Sequence, residues 1–140
     1  MRQILLFAAL AASLALLSGC TLFKTKKDTA EDMTDKAAYH KISAEEAYEM
    51  MASQEVVVVD VRTREEYDGG HIENAVLVPN ESIGSEMPEV LADKDATLLI
   101  YCRSGRRSKD AAQKLLELGY QSVYDFGGVI DWPYELVKEG

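Results

Sequence analysis

Apolar and polar positions alternate along this chain with three different rhythms. Ile4 to Leu17 is an almost unbroken apolar run, and Thr21 to Ala38 is polar and charged. From Tyr39 onward short β-branched runs alternate with helical spacing. "YHKI" predicts a short first strand. Ala44, Ala47, Tyr48 and Met51 recur at helical spacing, and Ser43 with Glu46 three residues on forms a capping-box pattern, so a helix is predicted over Ala44 to Ser53. "EVVVVD", Glu55 to Asp60, reads as a strand buried on both faces, as in a parallel sheet. A short helix from Thr63 is stopped by Gly69 and Gly70. "AVLVP" predicts a strand ended by Pro79, and Glu86 to Ala92 a short helix. "TLLIY" predicts another buried strand, Ser108 to Leu118 a strong helix, and "SVYDF" a last strand. Asp131 as N-cap predicts a final helix beginning at Trp132 and Pro133, with Trp132 in the core. Strands alternating with helices define an α/β class with a mainly parallel central sheet and helices on both faces.

The apolar run near the start is too short to span ~30 Å of hydrocarbon comfortably, which takes about 20 residues. With Arg2 before it and "LSGC" after it, residues 1–19 read as an export signal. "LSGC" resembles the lipobox of bacterial lipoproteins. That resemblance implies cleavage before Cys20 and lipidation of its sulfur. The protein would then be exported and held on the bacterial cell membrane by the lipid bilayer. Residues 20–38 are expected to be a flexible tether and residues 39–140 the folded domain, acting as a monomer.

A net charge of −9 speaks against nucleic acid as a partner, because such binding rests on cations meeting phosphate. It also makes one place exceptional. Arg103, Arg106, Arg107 and Lys109 crowd the seven residues after Cys102. There are two cysteines, and a lipidated Cys20 leaves Cys102 as the one free thiol. Two histidines and one free cysteine at these positions lack metal-binding spacing, so neither metal nor cofactor is expected.

Cys102 stands after a buried strand and before a helix, where open α/β sheets place their sites. The loop "CRSGRR" is expected to turn its N–H groups, helped by Gly105, around one spot. A helix start adds about half a positive charge, which binds anions and favours thiolate over thiol. The neighbouring arginines are expected to push the same way. These features suit an anionic nucleophile working on anionic substrates.

"DVRTREEYDGGHIENAVLVP", "IYCRSGRRS" and "YDFGGVIDWP" together resemble the rhodanese domain, in order and spacing over nearly all of Tyr39 to Gly140. The resemblance implies a three-layer α/β fold and sulfur transfer. The Cys102 thiolate would take the outer sulfur of a small anionic donor such as thiosulfate, and pass it to a thiol or cyanide. It implies that N–H groups from Arg103, Ser104, Gly105, Arg106, Arg107 and Ser108 cradle the anionic atoms. Arg106 and Arg107 are expected to bind the sulfonate, with Arg103 facing solvent. Asp60 and Arg62 are expected to form a structural ion pair supporting the site, and His71 to have a fixed structural role.

Two other readings compete. One is a non-catalytic rhodanese-like module that binds a protein or carries persulfide; the intact Cys102 and basic loop speak against a dead module. The other is a cysteine phosphatase or arsenate reductase of related fold. The resemblance implies six-residue loops for sulfurtransferases and seven for phosphatases, closing on an arginine. Here Cys102 to Arg107 makes six, and a seven-residue frame would close on Ser108.

Overall fold

The β-branched runs and amphipathic segments assemble into one twisted sheet covered on both sides. The structure is a computed structural model that describes residues 38–138. Its strands are β1 (Ala38–Lys41), β2 (Val57–Asp60), β3 (Val76–Leu77), β4 (Thr97–Cys102) and β5 (Ser122–Gly128). Its helices are α1 (Ala44–Ser53), α2 (Arg64–Asp68) and α3 (Arg106–Glu117). The five strands lie in the order β1-β5-β4-β2-β3, and every pair is parallel. The expected export signal, most of the tether and Cys20 lie outside the described residues. Ala38, taken as the end of the tether, is already in β1, opposite Ser122.

Side-chain alternation along β4 builds two cores. Leu98, Ile100 and Cys102 join Ala111, Ala112 and Leu115 of α3. Leu99 and Tyr101 join Ala44 and Ala47 of α1, with Tyr67 of α2, Phe126 and Trp132. Leu98, Leu99 and Ile100 are completely buried. Truncating such a side chain to alanine costs about 2 to 5 kcal/mol.

Helix starts follow the local chemistry. Ser43 Oγ accepts the Glu46 N–H at 3.1 Å, and the Glu46 carboxylate accepts the Ser43 N–H at 2.7 Å. Thr63 and Glu66 repeat the arrangement at α2. Helix α3 starts at Arg106, two residues before the expected Ser108, because Gly105 takes a left-handed conformation (φ 99°) and turns the chain straight into it.

Two predicted helices are not formed. Between Glu86 and Ala92 only Glu89–Leu91 makes a 3-10 turn, since Pro88 before it is extended. After β5 the chain makes a 3-10 turn at Val129–Asp131, and Trp132 is extended (ψ 114°). A residue preceding proline disfavours the α region, and Pro133 enforces this. Instead of a helix, the segment reaches Val137, which bridges His71 through two backbone hydrogen bonds of 2.9 and 2.8 Å. Trp132 does pack in the core, against Phe126.

Candidate active site

The carboxyl end of β4 delivers Cys102 to the foot of the loop that leads into α3. The residue is 1% exposed. The Gly105 N–H points back at its Sγ at 3.0 Å. Burial pushes the thiol up. The N–H groups of Ser108, Gly105 and Ser104, with the Ser108 hydroxyl, outweigh that, so the thiol lies below its ordinary range. The expected acidification is therefore present, and its leading source is the backbone cradle rather than the arginine side chains. Loop shape, more than side-chain charge, favours the thiolate here.

The two glycines after Phe126 allow the loop to sit where it does. Strand β5 bulges between Asp125 and Gly127, because Ile100 pairs with Asp125 and Tyr101 with Gly127. Gly127 takes φ 90°, and Gly128 then lies under the loop. A side chain on Gly128 would collide with the Arg103 carbonyl oxygen and lie 2.6 Å from the Ser104 Cα. The Ile130 N–H donates to the Arg103 carbonyl at 3.2 Å and fastens the loop from the same side.

The cations of the loop divide. Arg107 was expected to share sulfonate binding with Arg106. Its guanidinium instead donates two hydrogen bonds to Glu66, at 2.7 and 2.8 Å. That bond to Arg107 is the main reason the Glu66 carboxyl is held down to about 2. Arg107 therefore ties the loop to α2, with its paired donors already in use. Arg103 and Arg106 are exposed and have no ion pair among the described residues. They are the cations open to an arriving anion.

Ser108 is fully buried, and its hydroxyl contacts Asp125, Gly105 and Gly127. Asp60 and Arg62 form a buried pair at 2.6 Å, with Tyr101 donating to Asp60 at 2.7 Å and Arg62 to the Gly70 carbonyl at 2.8 Å. This knot locks the ends of β2 and β4 together. His71 is buried, stacks on Tyr67 at 3.7 Å, and its Nδ1 lies 2.9 Å from the Tyr67 carbonyl. Since that carbonyl only accepts, Nδ1 carries a proton there, and the ring is committed to structure. Among the described residues there is no cluster able to hold a metal. A groove of about 800 Å³ is lined by Tyr48, Met51, Trp132 and Tyr134 among others and includes no residue of the Cys102 loop.

Two members of the site were not foreseen. Glu66 falls inside the short helix predicted from Thr63, and nothing local announces a partner 41 residues away. Asp125 carried a usable signal: a carboxylate inside a buried strand, "YDF", needs partners.

Comparison with known proteins agrees with this architecture. The family model for the rhodanese-like domain matches residues 43–133. A tRNA uridine(34) hydroxylase of Photorhabdus laumondii is 33% identical over 104 residues, 71% of this chain and 30% of that protein. The chain thus spans about a third of the length of the curated relatives it matches. Among solved structures, a rhodanese from E. coli is 32% identical with a TM-score of 0.56, covering 61% of this chain and all of the other. A human single-domain sulfurtransferase is 25% identical with a TM-score of 0.60, covering 66% and 93%. With an all-parallel sheet, a cysteine at the strand end and a backbone cradle around it, this chain belongs to the rhodanese-like domain family.

Proposed function

We propose that this protein is a sulfurtransferase that carries sulfane sulfur as a persulfide on Cys102. The observation that carries the reading is the convergence of the Gly105, Ser104 and Ser108 amides on one thiol below its ordinary range. The Cys102 thiolate attacks the outer sulfur of thiosulfate. A new S–S bond forms, the bond to the sulfonate sulfur breaks, and its electron pair leaves with sulfite. An acceptor thiolate or cyanide then attacks the outer persulfide sulfur, and Cys102 departs as thiolate. This is covalent catalysis in two displacements, and the inward N–H groups suit the anionic sulfur at each stage. Arg106, with Arg103 at the rim, is placed to meet the sulfonate oxygens.

The single-domain sulfurtransferase relative supports this reading. The hydroxylase relatives act on tRNA by their names, but this chain matches only a third of them and is acidic, which gives tRNA no support here. A phosphatase reading lacks its clamp: a seven-residue frame closes on Ser108, and Arg107 is engaged by Glu66. The test runs thiosulfate–cyanide transfer and aryl phosphate hydrolysis on one preparation, with Cys102→Ser as blank. Sulfur transfer should dominate; Cys102-dependent phosphate release exceeding it would reverse the assignment.

The place of action follows from "LSGC". On the lipobox reading the protein is exported and acylated on Cys20, with more than one chain, because a single chain anchors only weakly. Wild type should sediment with membranes and Cys20→Ala should not. Equal partitioning of the two, with identical N-termini, contradicts the anchor.

A further inference from the structure

Three aromatic side chains meet beside α1. Tyr48 of that helix stacks on Tyr134, with ring centroids 3.9 Å apart. Trp132 meets Tyr134 edge-on at 5.0 Å and Tyr48 at 6.1 Å. Trp132 is buried against Phe126, yet Tyr48 and Tyr134 stay 46% and 37% exposed. A stacked aromatic pair left this open to water marks a contact surface.

The groove of about 800 Å³ that these rings line has Glu73 and Glu135 in its wall and neither Lys nor Arg. Both carboxylates are exposed, and neither has an ion pair among the described residues. The charge in the groove is therefore negative and uncompensated. The main chain of Tyr134, Glu135 and Leu136 also makes no hydrogen bond among the described residues, although Val137 just after it pairs with His71.

We infer that this groove docks an extended basic segment of a partner protein, with a Lys or Arg side chain set against the two tyrosines and the two carboxylates. The charge selects the sign, since Glu73 and Glu135 repel an acidic segment and attract a cationic one. The rings select the kind of cation. An aromatic face attracts an ammonium or guanidinium head, and the alkyl stem of Lys or Arg covers apolar surface on the way. The unpaired main chain selects a peptide over a small cation. Its N–H and C=O groups can pair with the backbone of an extended segment, as in recognition by strand addition. No residue of the Cys102 loop lines the groove, so this surface is separate from the reactive thiol and does not depend on its chemistry.

The test uses the protein and a library of capped hexapeptides randomised at every position. Peptides retained on the immobilised protein should be enriched in Lys and Arg over Asp and Glu. Trp132 is the one tryptophan of the chain, so titration with the best retained peptide should change the protein's fluorescence. Glu73→Gln together with Glu135→Gln should weaken binding about tenfold, the size of two exposed charge pairs, with an unchanged melting temperature. Added salt should weaken it as well, because such pairs are screened. No enrichment of basic residues, or equal affinity in the double variant, overturns the proposal. Tyr48→Ala removes half of the ring stack and gives a second reading: unchanged affinity there also counts against it. A fluorescence response to tetramethylammonium with no peptide retained overturns it in favour of a small-cation pocket. Cys102→Ser should bind the peptide as wild type does, and lost binding in that variant would move the peptide to the Cys102 loop and overturn the assignment to this groove.

Discussion

Glu66 of α2, the helix after β2, accepts from both terminal nitrogens of Arg107 of α3, the helix after β4. The pair fastens the first turn after the Cys102 loop to the helix that follows β2. Glu66 also caps its own helix at Thr63, so one carboxylate serves two constraints. Glu66→Gln should therefore cost about 1 to 2 kcal/mol near neutral pH, discounted from the buried-pair range because both side chains keep some solvent. The folded value of about 2 lies below the ordinary 4.5, so this contribution is complete above 4.5 and is lost as pH falls through about 2. Denaturant midpoints of the two proteins should converge on acidification through that window.

Arg106 and Arg107 should separate in kinetics. Arg106→Ala is expected to raise KM for thiosulfate several-fold, since its exposed guanidinium is not engaged elsewhere. Arg107→Ala should lower the melting temperature, with a smaller change in KM. Steady-state kinetics alongside thermal unfolding checks this, and the reverse pattern would return the sulfonate to Arg107.

The knot of Asp60, Arg62 and Tyr101 makes a prediction about stability. Asp60→Ala leaves Arg62, 5% exposed, without its counter-charge. Breaking a buried pair by removing one partner costs about 3 to 5 kcal/mol. Chemical denaturation should show a loss of that order, whereas Arg64→Ala, whose partner Asp68 is exposed, should change stability little.

Much of this arrangement was readable from residue order. The capping box at Ser43 involves neighbours three apart, so helix α1 began where expected, and α2 began one residue after the expected Thr63, which caps it. The strand–cysteine–glycine order also put Cys102 at the end of β4, at the foot of the loop into α3. What was hidden was long-range or set by backbone detail. The Glu66–Arg107 pair needs two helices that only the sheet brings together. The bulge at Phe126 that lifts Gly127 and Gly128 beneath the loop has no local periodic signature. Pro133 carried two opposite signals, welcome in the first turn of a helix but restrictive for Trp132 before it, and the second prevailed.

Gly128 offers a direct test of the loop's support. Gly128→Ala places a methyl group against the Arg103 carbonyl and the Ser104 Cα, both backbone, so the cradle itself must move. Sulfur transfer should fall by about a hundredfold, the order expected when a preorganised donor set is displaced. The circular dichroism spectrum should stay close to wild type. Retention of full activity would mean that the loop does not depend on this contact.

Transfer through a persulfide requires that Cys102 itself hold the sulfur between donor and acceptor. Protein incubated with thiosulfate and then freed of it should be weighed intact, beside Cys102→Ser. The account predicts a gain of one sulfur atom in the first and none in the second, with the added mass lost on exposure to cyanide. No gain on Cys102, or the same gain in the serine variant, contradicts it.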